Sequence, residues 1–239
     1  MDRCRALIFI PALDEAETIA GVVKDCVAIC DVLVLDDGSC DDTLLEAKNA
    51  GASVISNKSP GGYDKAIRTG FEYAVDHEFD ILITADADGQ HSASDIKRAL
   101  DTITSNHETA LVVGTRDKLN RISEYLFSGV SRLTFGVADP LSGLKVYRMK
   151  DLIGLSEYVG TNIGTLIVAA SVKLKKKIQM IGITIEPRTA GRSRFGHSLS
   201  GELKILRALL TFLFAGLGNI RTEIEPEIFA NKKNNRTNE

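Results

Sequence analysis

The stretch Ile81-Leu82-Ile83-Thr84-Ala85-Asp86-Ala87-Asp88-Gly89-Gln90-His91 reads as a buried strand that ends in two carboxylates one residue apart. Side chains alternate faces in an extended chain, so Asp86 and Asp88 should point the same way, followed by Gln90 if the extension persists. Two carboxylates and an amide oxygen suit a hard divalent cation, Mg²⁺ or Mn²⁺. The carboxyl end of a strand is also where open α/β sheets bind ligands. The alternative is a loop whose acids cap the following helix.

The composition is that of an ordinary globular protein, with 239 residues, of which 44% are hydrophobic and 26% charged. This length suits one generous domain or a domain with appendages. The net charge of −3 offers no basic surface for nucleic acid. No secretory signal is recognised, and no apolar stretch reaches the ~20 residues that span a membrane. We therefore expect a cytoplasmic protein whose four cysteines are reduced.

The first half of the chain alternates short strands with amphipathic helices. Five runs are apolar on both faces and end in turn residues, which indicates a parallel sheet covered on both sides. These runs are residues 7–10, 32–35, 53–56, 81–85 and 111–113. The first helix is predicted to begin at Asp14, with Glu17 three residues on in a capping box. The alternation predicts an α/β fold, a Rossmann-like and mostly parallel sheet with helices on both faces.

The second half is predicted to add fewer and longer elements. Its pattern indicates helices at 122–135 and 162–173, strands at 144–149 and 177–187, and a last helix at 199–218. We therefore predict a domain over residues 1–197, a C-terminal amphipathic helix within 198–220, and a polar, disordered tail over 221–239.

Acidic residues also follow the second strand. Asp36 and Asp37 end this strand, beside the end that carries Asp86 if the sheet is parallel. They could cap the next helix, but Asp41 and Asp42 are available for that task. Asp36 and Asp37 therefore look structurally superfluous, which favours contact with a nucleobase or a ribose.

Two nucleotide-binding motifs are missing from the sequence. It contains no Gly-x-x-x-x-Gly-Lys-Ser/Thr, which excludes an ordinary P-loop. The first strand is followed by Pro11-Ala-Leu-Asp-Glu15 where a dinucleotide fold would have Gly-x-Gly-x-x-Gly, and this disfavours dinucleotide binding.

Six motifs together resemble those of family 2 glycosyltransferases. Residues 139–148, Asp-Pro-Leu-Ser-Gly-Leu-Lys-Val-Tyr-Arg, resemble the polyprenyl-phosphate branch typified by dolichyl-phosphate mannose synthase. The other motifs are residues 9–19, the Leu35-Asp-Asp-Gly-Ser39 turn, Gly61-Gly62 with Ala66 and Gly70, Asp86-Ala-Asp88, and Val113-Gly-Thr-Arg116. The resemblance covers about residues 5 to 215.

The resemblance implies a GT-A fold, a nucleotide-diphosphate sugar donor, a divalent metal and an inverting transfer. The site residues that it implies are Pro11, Leu13 and Glu15 beside the base and ribose, Asp36 or Asp37 on the base, and Asp86, Asp88 and Gln90 around the metal and diphosphate. The chain departs from the family pattern at Asp14, where many members have Asn. It also has Gly62-Tyr63-Asp64-Lys65 in place of a Gly-Lys-Gly-type loop, which leaves the donor contacts of that loop open.

Arginines supply candidates for binding an acceptor phosphate. A phosphate acceptor is already anionic, so it needs positioning cations, whereas a hydroxyl acceptor needs a general base. The planar guanidinium fork suits phosphate, and the candidates are Arg116, Arg132, Arg192 and Arg194. Asp88, Arg116 and Asp139 are the predicted catalytic residues, with Asp139 either a base for a hydroxyl acceptor or an organiser of the acceptor loop. The Gln-x-x-Arg-Trp motif of polymerising relatives is missing because the chain has no tryptophan, which favours a single transfer.

The last predicted helix bears a stripe of leucines beside two cations, Lys204 and Arg207. Its apolar members are Leu199, Leu203, Leu206, Leu209, Leu210, Leu213 and Leu217, with Phe212 and Phe214 beside them. Such a helix can lie in the plane of a membrane interface, and its apolar segment from Ala208 to Gly218 is too short to span a bilayer. The alternatives are packing onto its own domain or onto a second subunit.

The sequence therefore predicts a metal-dependent, inverting hexosyltransferase. It would move one sugar from a nucleotide-diphosphate sugar to a polyprenyl phosphate, peripherally at the cytoplasmic face of a membrane or beside a membrane protein. A second hypothesis replaces the acceptor by a saccharide hydroxyl, with Asp139 as the base. A third is an inactive nucleotide-sugar-binding scaffold, which the intact Asp-x-Asp disfavours.

Overall fold

A seven-stranded mixed sheet organises the part of the chain that the structure, a computed structural model, describes: residues 4–152, 162–186 and 199–217. The strands, in chain order, are β1 (Ala6–Ala12), β2 (Asp31–Asp36), β3 (Ser53–Ser56), β4 (Ile81–Thr84), β5 (Thr109–Arg116), β6 (Lys145–Arg148) and β7 (Lys177–Ile183). Their order across the sheet is β3-β2-β1-β4-β6-β5-β7.

Strand β6 is antiparallel to both of its neighbours, β4 and β5, whereas all other pairs are parallel. Two reversals cancel, so β5 runs in the same direction as β4. The carboxyl ends of β1, β2, β4 and β5 therefore lie at one edge of the sheet, together with the amino end of β6. The predicted mostly parallel sheet is confirmed, and its antiparallel member brings residues 139–145 to that edge.

Helices cover both faces of the sheet. They are α1 (Ala16–Val27), α2 (Thr43–Asn49), α3 (Tyr63–Asp76), α4 (Ala93–Ser105), α5 (Ile122–Phe135), the single turn α6 (Met149–Leu152), α7 (Ile163–Lys173) and α8 (Leu199–Leu217). Alternate residues of β1 bury into two separate cores. Leu7 and Phe9 join the core under α3, α7 and α8, and Ile8 and Ile10 join the core under α1 and α4. This explains why the strand sequences are apolar on both faces.

Helix α1 begins at Ala16, so the predicted start at Asp14 and its capping box are wrong. Asp14 instead takes a left-handed conformation, with φ of 52°. Its N–H donates to Ser39 Oγ at 2.9 Å, and its Oδ1 accepts the N–H of Cys40 at 2.8 Å. Asp14 therefore links the loops that follow β1 and β2, since both its N–H and its carboxylate form hydrogen bonds with the loop after β2.

Helix α8 packs onto its own domain through one face. Leu209 and Phe212 are buried, and the Phe212 ring lies 5.2 Å from that of Phe127 and 4.9 Å from that of Phe135, both on α5. The described helices include none long and apolar enough to cross a bilayer. Strand β7 ends at Ile183, so the predicted strand 177–187 is too long, and Ile185 forms an isolated antiparallel bridge with His91. The predicted boundary at 197–198 and the predicted tail, 221–239, lie outside the described residues.

Candidate active site

Strand β4 ends at Thr84, and the Asp-x-Asp segment lies in the turn that follows it. The predicted alternation of side chains therefore does not extend to Asp88. Gly89, with φ of 75°, turns the chain, and Asp88 Oδ1 accepts the N–H of Gln90 at 3.1 Å. The helix-cap alternative is excluded, because Ser92 caps α4 by accepting the N–H of Asp95 at 3.1 Å.

The two carboxylates differ in exposure. Asp88 is buried, whereas the side chain of Asp86 is 40% exposed. His91 lies 3.3 Å from Asp86 Oδ2 through Nε2, and its buried Nδ1 has no protein partner among the described residues. Burial acts to raise the pKa of Asp86, but the hydrogen bond to His91 and the charges of His91, Lys145 and Arg116 outweigh it and lower the pKa. Asp86 is therefore an accessible carboxylate that stays ionised.

Gly143 brings the acceptor loop against this carboxylate. A Cβ at Gly143 would lie 2.2 Å from Asp86 Oδ2, so no other residue fits without displacing it. The carbonyl of Gly143 accepts the hydroxyl of Thr84 at 2.8 Å. The segment that the sequence links to polyprenyl-phosphate enzymes thus contacts the Asp-x-Asp turn directly.

Arg116 ends β5 and is held by two carboxylates. Its Nε and Nη2 donate to the two oxygens of Asp139 at 2.7 and 2.8 Å, and its backbone N–H donates to the same carboxylate at 3.1 Å. Glu124 on α5 lies 3.4 Å from Nη1. Although burial acts to lower the pKa of Arg116, the hydrogen bond and charge of Asp139, together with the charges of Glu124 and Asp86, raise it. Asp139 is buried against Arg116, which suits an organiser of the acceptor loop better than a free base.

Three further residues belong to this edge, and the sequence reasoning missed all of them as site residues. Lys145 is buried, and burial lowers its pKa to about 8 against the opposing charges of Asp139 and Asp86. Its ammonium donates to the carbonyl of Ser142. Tyr63 opens α3 and is half-exposed, but desolvation of its hydroxyl together with the charge of Asp86 raises the pKa of that hydroxyl. His91 is the third. The sequence does hold a signal for Lys145, because this lysine stands inside the otherwise apolar run Leu144–Tyr147 and is therefore expected to be buried.

The acids after β2 have structural partners, so the argument that they are superfluous is wrong. Asp36 accepts the N–H of Ser39 at 3.0 Å and the hydroxyl of Ser56 at 2.9 Å. Asp37 accepts the side chain of Asn57 at 2.8 Å and the backbone N–H groups of Gly61 and Gly62 at 2.8 and 2.9 Å. These bonds fix the loop before α3. Contact of either acid with a base stays a prediction.

The other predicted donor residues lie around the same loops. Pro11 is on β1, paired with Leu35, and Leu13 follows in the loop to α1. Glu15 is buried and its N–H donates to Thr43 Oγ1 at 2.8 Å. The side-chain nitrogen of Gln90 donates to the carbonyl of Glu186 at 3.3 Å, which ties the turn to the segment after β7.

Not all predicted cations meet at the edge. Arg132 is exposed in the last turn of α5, eight residues beyond Glu124, and the described contacts do not link it to Arg116. Arg192 and Arg194 lie outside the described residues. Arg116 and Lys145 are thus the cations that the described structure places beside Asp86.

The residues of the edge fit a divalent cation. Within the described residues, no group of three or more His, Cys, Asp or Glu side chains could hold a metal alone. Mg²⁺ and similar ions are commonly held by one or two carboxylates together with substrate phosphates and water. Asp86, ionised and accessible, with Asp88 beside it in the turn, offers the hard oxygen donors of such a partial site.

The structure has the features of the GT-A glycosyltransferase fold: a mostly parallel sheet, helices on both faces, and an Asp-x-Asp turn at the carboxyl edge. The sequence matches the model of the family described as "Glycosyl transferase family 2" over residues 7–135. The chain belongs to this family, and the recognition from sequence is confirmed.

Similar proteins of known name are consistent with the polyprenyl-phosphate branch. An undecaprenyl-phosphate mannosyltransferase of Micrococcus luteus is 26% identical over 83% of this chain and 90% of its own. A polyprenol monophosphomannose synthase of Mycolicibacterium smegmatis is 31% identical over 47% of this chain and 45% of its own. The fold resembles that of glucosyl-3-phosphoglycerate synthase from Mycobacterium tuberculosis, solved with Mn²⁺ and UDP-glucose, with a TM-score of 0.69, 20% identity, and coverage of 90% of this chain and 80% of that one.

Proposed function

We propose that this glycosyltransferase moves a single sugar from a nucleotide-diphosphate sugar to a polyprenyl phosphate, with inversion, at the cytoplasmic face of a membrane. The observation that carries the proposal is that a carboxylate suited to a metal and cations suited to a phosphate lie together at one edge of the sheet. The accessible carboxylate of Asp86 contacts the loop of Gly143, and the cations Arg116 and Lys145 lie within reach of its charge.

The donor half of the reaction is assigned to the loops after β1, β2 and β4. The resemblance assigns the base and ribose to Pro11, Leu13 and Glu15, with Asp36 or Asp37 on the base. The relative of known structure that shares the fold was solved with UDP and Mn²⁺, which supports a nucleotide-diphosphate donor at this edge.

Asp86 and Asp88, with Gln90, would hold a Mg²⁺ or Mn²⁺ ion. Such an ion supplies Lewis-acid stabilisation of the negative charge on a departing diphosphate. His91 and the nearby cations keep the carboxylate of Asp86 ionised. Gly143 leaves room for this carboxylate, because any side chain at position 143 would displace it. The fold neighbour with bound Mn²⁺ supports this assignment, and the choice between the two metals is open.

The acceptor phosphate is assigned to the side of Arg116. A phosphate oxygen attacks the anomeric carbon from the face opposite the nucleotide, the bond from that carbon to the nucleoside diphosphate breaks, and the configuration inverts. Because the attacking oxygen is already ionised, no proton has to be removed from it. This fits a site in which Asp139 is already engaged by the guanidinium of Arg116.

The alternative acceptor is a saccharide hydroxyl, with Asp139 as the general base. The bidentate pairing of Asp139 with Arg116 disfavours it, because the guanidinium already engages both oxygens of the carboxylate. An inactive nucleotide-sugar-binding scaffold is the third hypothesis. The names of the relatives, which include a mannosyltransferase acting on undecaprenyl phosphate, favour the polyprenyl phosphate acceptor.

A transfer assay separates these three hypotheses. The purified chain is incubated with Mn²⁺, radiolabelled UDP- and GDP-sugars, and either a detergent-solubilised polyprenyl phosphate, the corresponding polyprenol, or a soluble saccharide. We expect label in lipid only with the polyprenyl phosphate. Labelled saccharide that is lost in Asp139→Asn would establish the hydroxyl acceptor instead.

Donor binding without transfer or hydrolysis would establish the scaffold. The anomeric configuration of the lipid product, determined by NMR, tests inversion. A product that retains the configuration of the donor would contradict direct displacement by the phosphate.

A further inference from the structure

Helix α5 leaves a row of apolar side chains in solvent. Ile122 is 86% exposed, Leu126 50% and Leu133 89%. Their spacing of four and seven residues places them on one face of the helix. The opposite face is the packed one, since Phe127 and Ser131 are buried. This row therefore contributes little to the core of the domain.

Helix α8 presents a second row of the same kind. Leu203, Leu210 and Phe214 are exposed, and their spacing of seven and four residues again defines one face. The sequence pattern predicted an apolar stripe on α8, and the structure divides the stripe into a packed part and this exposed part. Of the eleven large hydrophobic side chains that are exposed among the described residues, seven lie on α5 and α8.

The two helices pack against each other, so the two rows lie on neighbouring helices. At their starts, the N–H of Ser123 donates to Glu202 Oε2 at 3.1 Å. Farther along, the rings of Phe127 and Phe135 pack on Phe212. We call the exposed residues of this helix pair, Ile122, Tyr125, Leu126, Leu133, Leu203, Leu210 and Phe214, the α5–α8 surface.

The exposed charged residues of α5 and α8 are cations. Arg132, Lys204 and Arg207 are exposed. Each helix contains a single acid, and both acids are engaged within the protein. Glu124 pairs with Arg116 and accepts the N–H of Asn120, and Glu202 accepts the N–H of Ser123. The exposed charged residues that the structure describes on these two helices are therefore cations, and an apolar surface beside such cations is complementary to an anionic lipid surface.

We propose that the α5–α8 surface docks the protein on an anionic lipid bilayer, with α5 and α8 lying together in the interface. The proposal deepens the proposed function, on which it rests for its purpose, because Glu124 of α5 is bonded to Arg116 at the catalytic edge. Docking through this surface brings that edge to the bilayer that holds a polyprenyl phosphate.

Vesicle binding by the full chain tests the proposal without any turnover. Cosedimentation is measured with phosphatidylcholine vesicles that contain or lack phosphatidylglycerol. The double variant Ile122→Gln/Leu133→Gln should bind the anionic vesicles at least about tenfold more weakly, because two exposed apolar side chains no longer enter the interface. Both positions are almost fully exposed, so the fold should be retained.

Two further variants sharpen the test. Lys204→Gln/Arg207→Gln should reduce binding to the anionic vesicles, with a loss of about fivefold per cation, and should leave the neutral vesicles unaffected. Leu45→Gln is the matched control, since Leu45 is a half-exposed leucine on α2, which packs against the β3 side of the sheet. It should bind as the unaltered protein does.

The proposal is overturned if the unaltered protein does not bind anionic vesicles, or if Ile122→Gln/Leu133→Gln binds them as well as Leu45→Gln does. A dimer in sedimentation velocity that Ile122→Gln/Leu133→Gln dissociates, without vesicle binding, would assign the surface to a second copy of the chain and overturn it also. Transfer to a detergent-solubilised polyprenyl phosphate distinguishes this failure from a failure of the proposed function, because that assay needs no bilayer.

Discussion

The two halves of the catalytic edge hold their acids in different ways. In the proposed donor half, the loops after β1, β2 and β4, backbone N–H groups bind two of the carboxylates, Asp37 and Asp88, and the side chain of His91 contacts a third, Asp86. In the acceptor half, the ends of β5 and β6, cations bind them, as for Asp139 with Arg116.

Under the proposed function, this difference bears on what each half could bind. An N–H donor satisfies a carboxylate without cancelling its net charge, so the donor half keeps negative charge for a cation. In the acceptor half, the positive charge of Arg116 is paired with the negative charge of Asp139. The guanidinium of Arg116 can therefore bind a phosphate only if its N–H groups donate to both the phosphate and Asp139. Breaking one side of such a buried pair is costly, at about 3–5 kcal/mol, because the other charge stays uncompensated.

The largest effect is expected from removing a charge in the donor half. Asp88→Asn keeps the shape of the side chain but removes an anionic ligand, and we expect kcat to fall by about 10³ or more. The transfer assay with Mn²⁺ measures it. Asp101→Asn is the control, since Asp101 is a half-exposed acid that pairs with Lys97 on α4. Activity of Asp88→Asn within tenfold of that control would remove Asp88 from the site.

A double-mutant cycle tests the charge pairing of the acceptor half. Arg116→Met should lower the free energy of unfolding by about 3–5 kcal/mol, because Asp139 is left buried without its cation. Arg116→Met/Asp139→Leu should recover most of that stability, since both charges are gone. Urea denaturation measures both.

Transfer activity in the same cycle separates structure from function. Both variants should lose about 10²-fold or more in kcat/KM if Arg116 positions the phosphate. Full activity in the double variant would mean that Arg116 serves the fold alone.

A substitution of Asp37 tests whether its hydrogen bonds stabilise the loop before α3. Asp37→Asn replaces an oxygen that accepts a backbone N–H by a nitrogen that cannot, and we expect a loss of about 1–3 kcal/mol in the free energy of unfolding. Asp31 is exposed at the start of β2, and Asp31→Asn should change stability little. Equal stability of the two variants would contradict the bracing of the loop before α3.

The smallest effect is a pH dependence that originates at Lys145. Its pKa is lowered to about 8 in the folded protein, so above pH 8 the unfolded chain binds a proton that the folded chain does not. Stability of the unaltered protein should therefore rise with pH, relative to Lys145→Met, by about 1 kcal/mol between pH 7 and 9. Thermal or urea unfolding of both proteins across this range measures the difference. A difference that falls or stays constant would contradict a buried ammonium here.

The sequence predicted the donor half better than the acceptor half, for a physical reason. Parallel strands that are apolar on both faces carry a strong local pattern, and acids at their ends mark the edge without further information. The acceptor half depends on β6 being inserted antiparallel between β4 and β5. No local pattern encodes that pairing, so the contact of Gly143 with Asp86 could not be predicted. The apolar run around Lys145 indicates that this lysine is buried, but it does not indicate that the lysine lies beside Asp86.

Loop hydrogen bonds were the other source of error. Asp14 was interpreted as a helix cap, and Asp36 and Asp37 as free of structural tasks. All three carboxylates bind groups of loops distant in sequence, such as Cys40, Ser56 and Gly61. A carboxylate next to a turn has many possible donors, and only the folded loops select among them.

Binding of a nucleotide diphosphate tests the central claim, that the carboxylates after β4 hold a cation against such a ligand. Isothermal calorimetry would compare UDP and GDP with and without Mn²⁺, on the unaltered protein and on Asp86→Asn. We predict binding that Mn²⁺ strengthens at least tenfold in the unaltered protein and does not strengthen in the variant. Binding that is equally strong with and without Mn²⁺ in both proteins would contradict the claim.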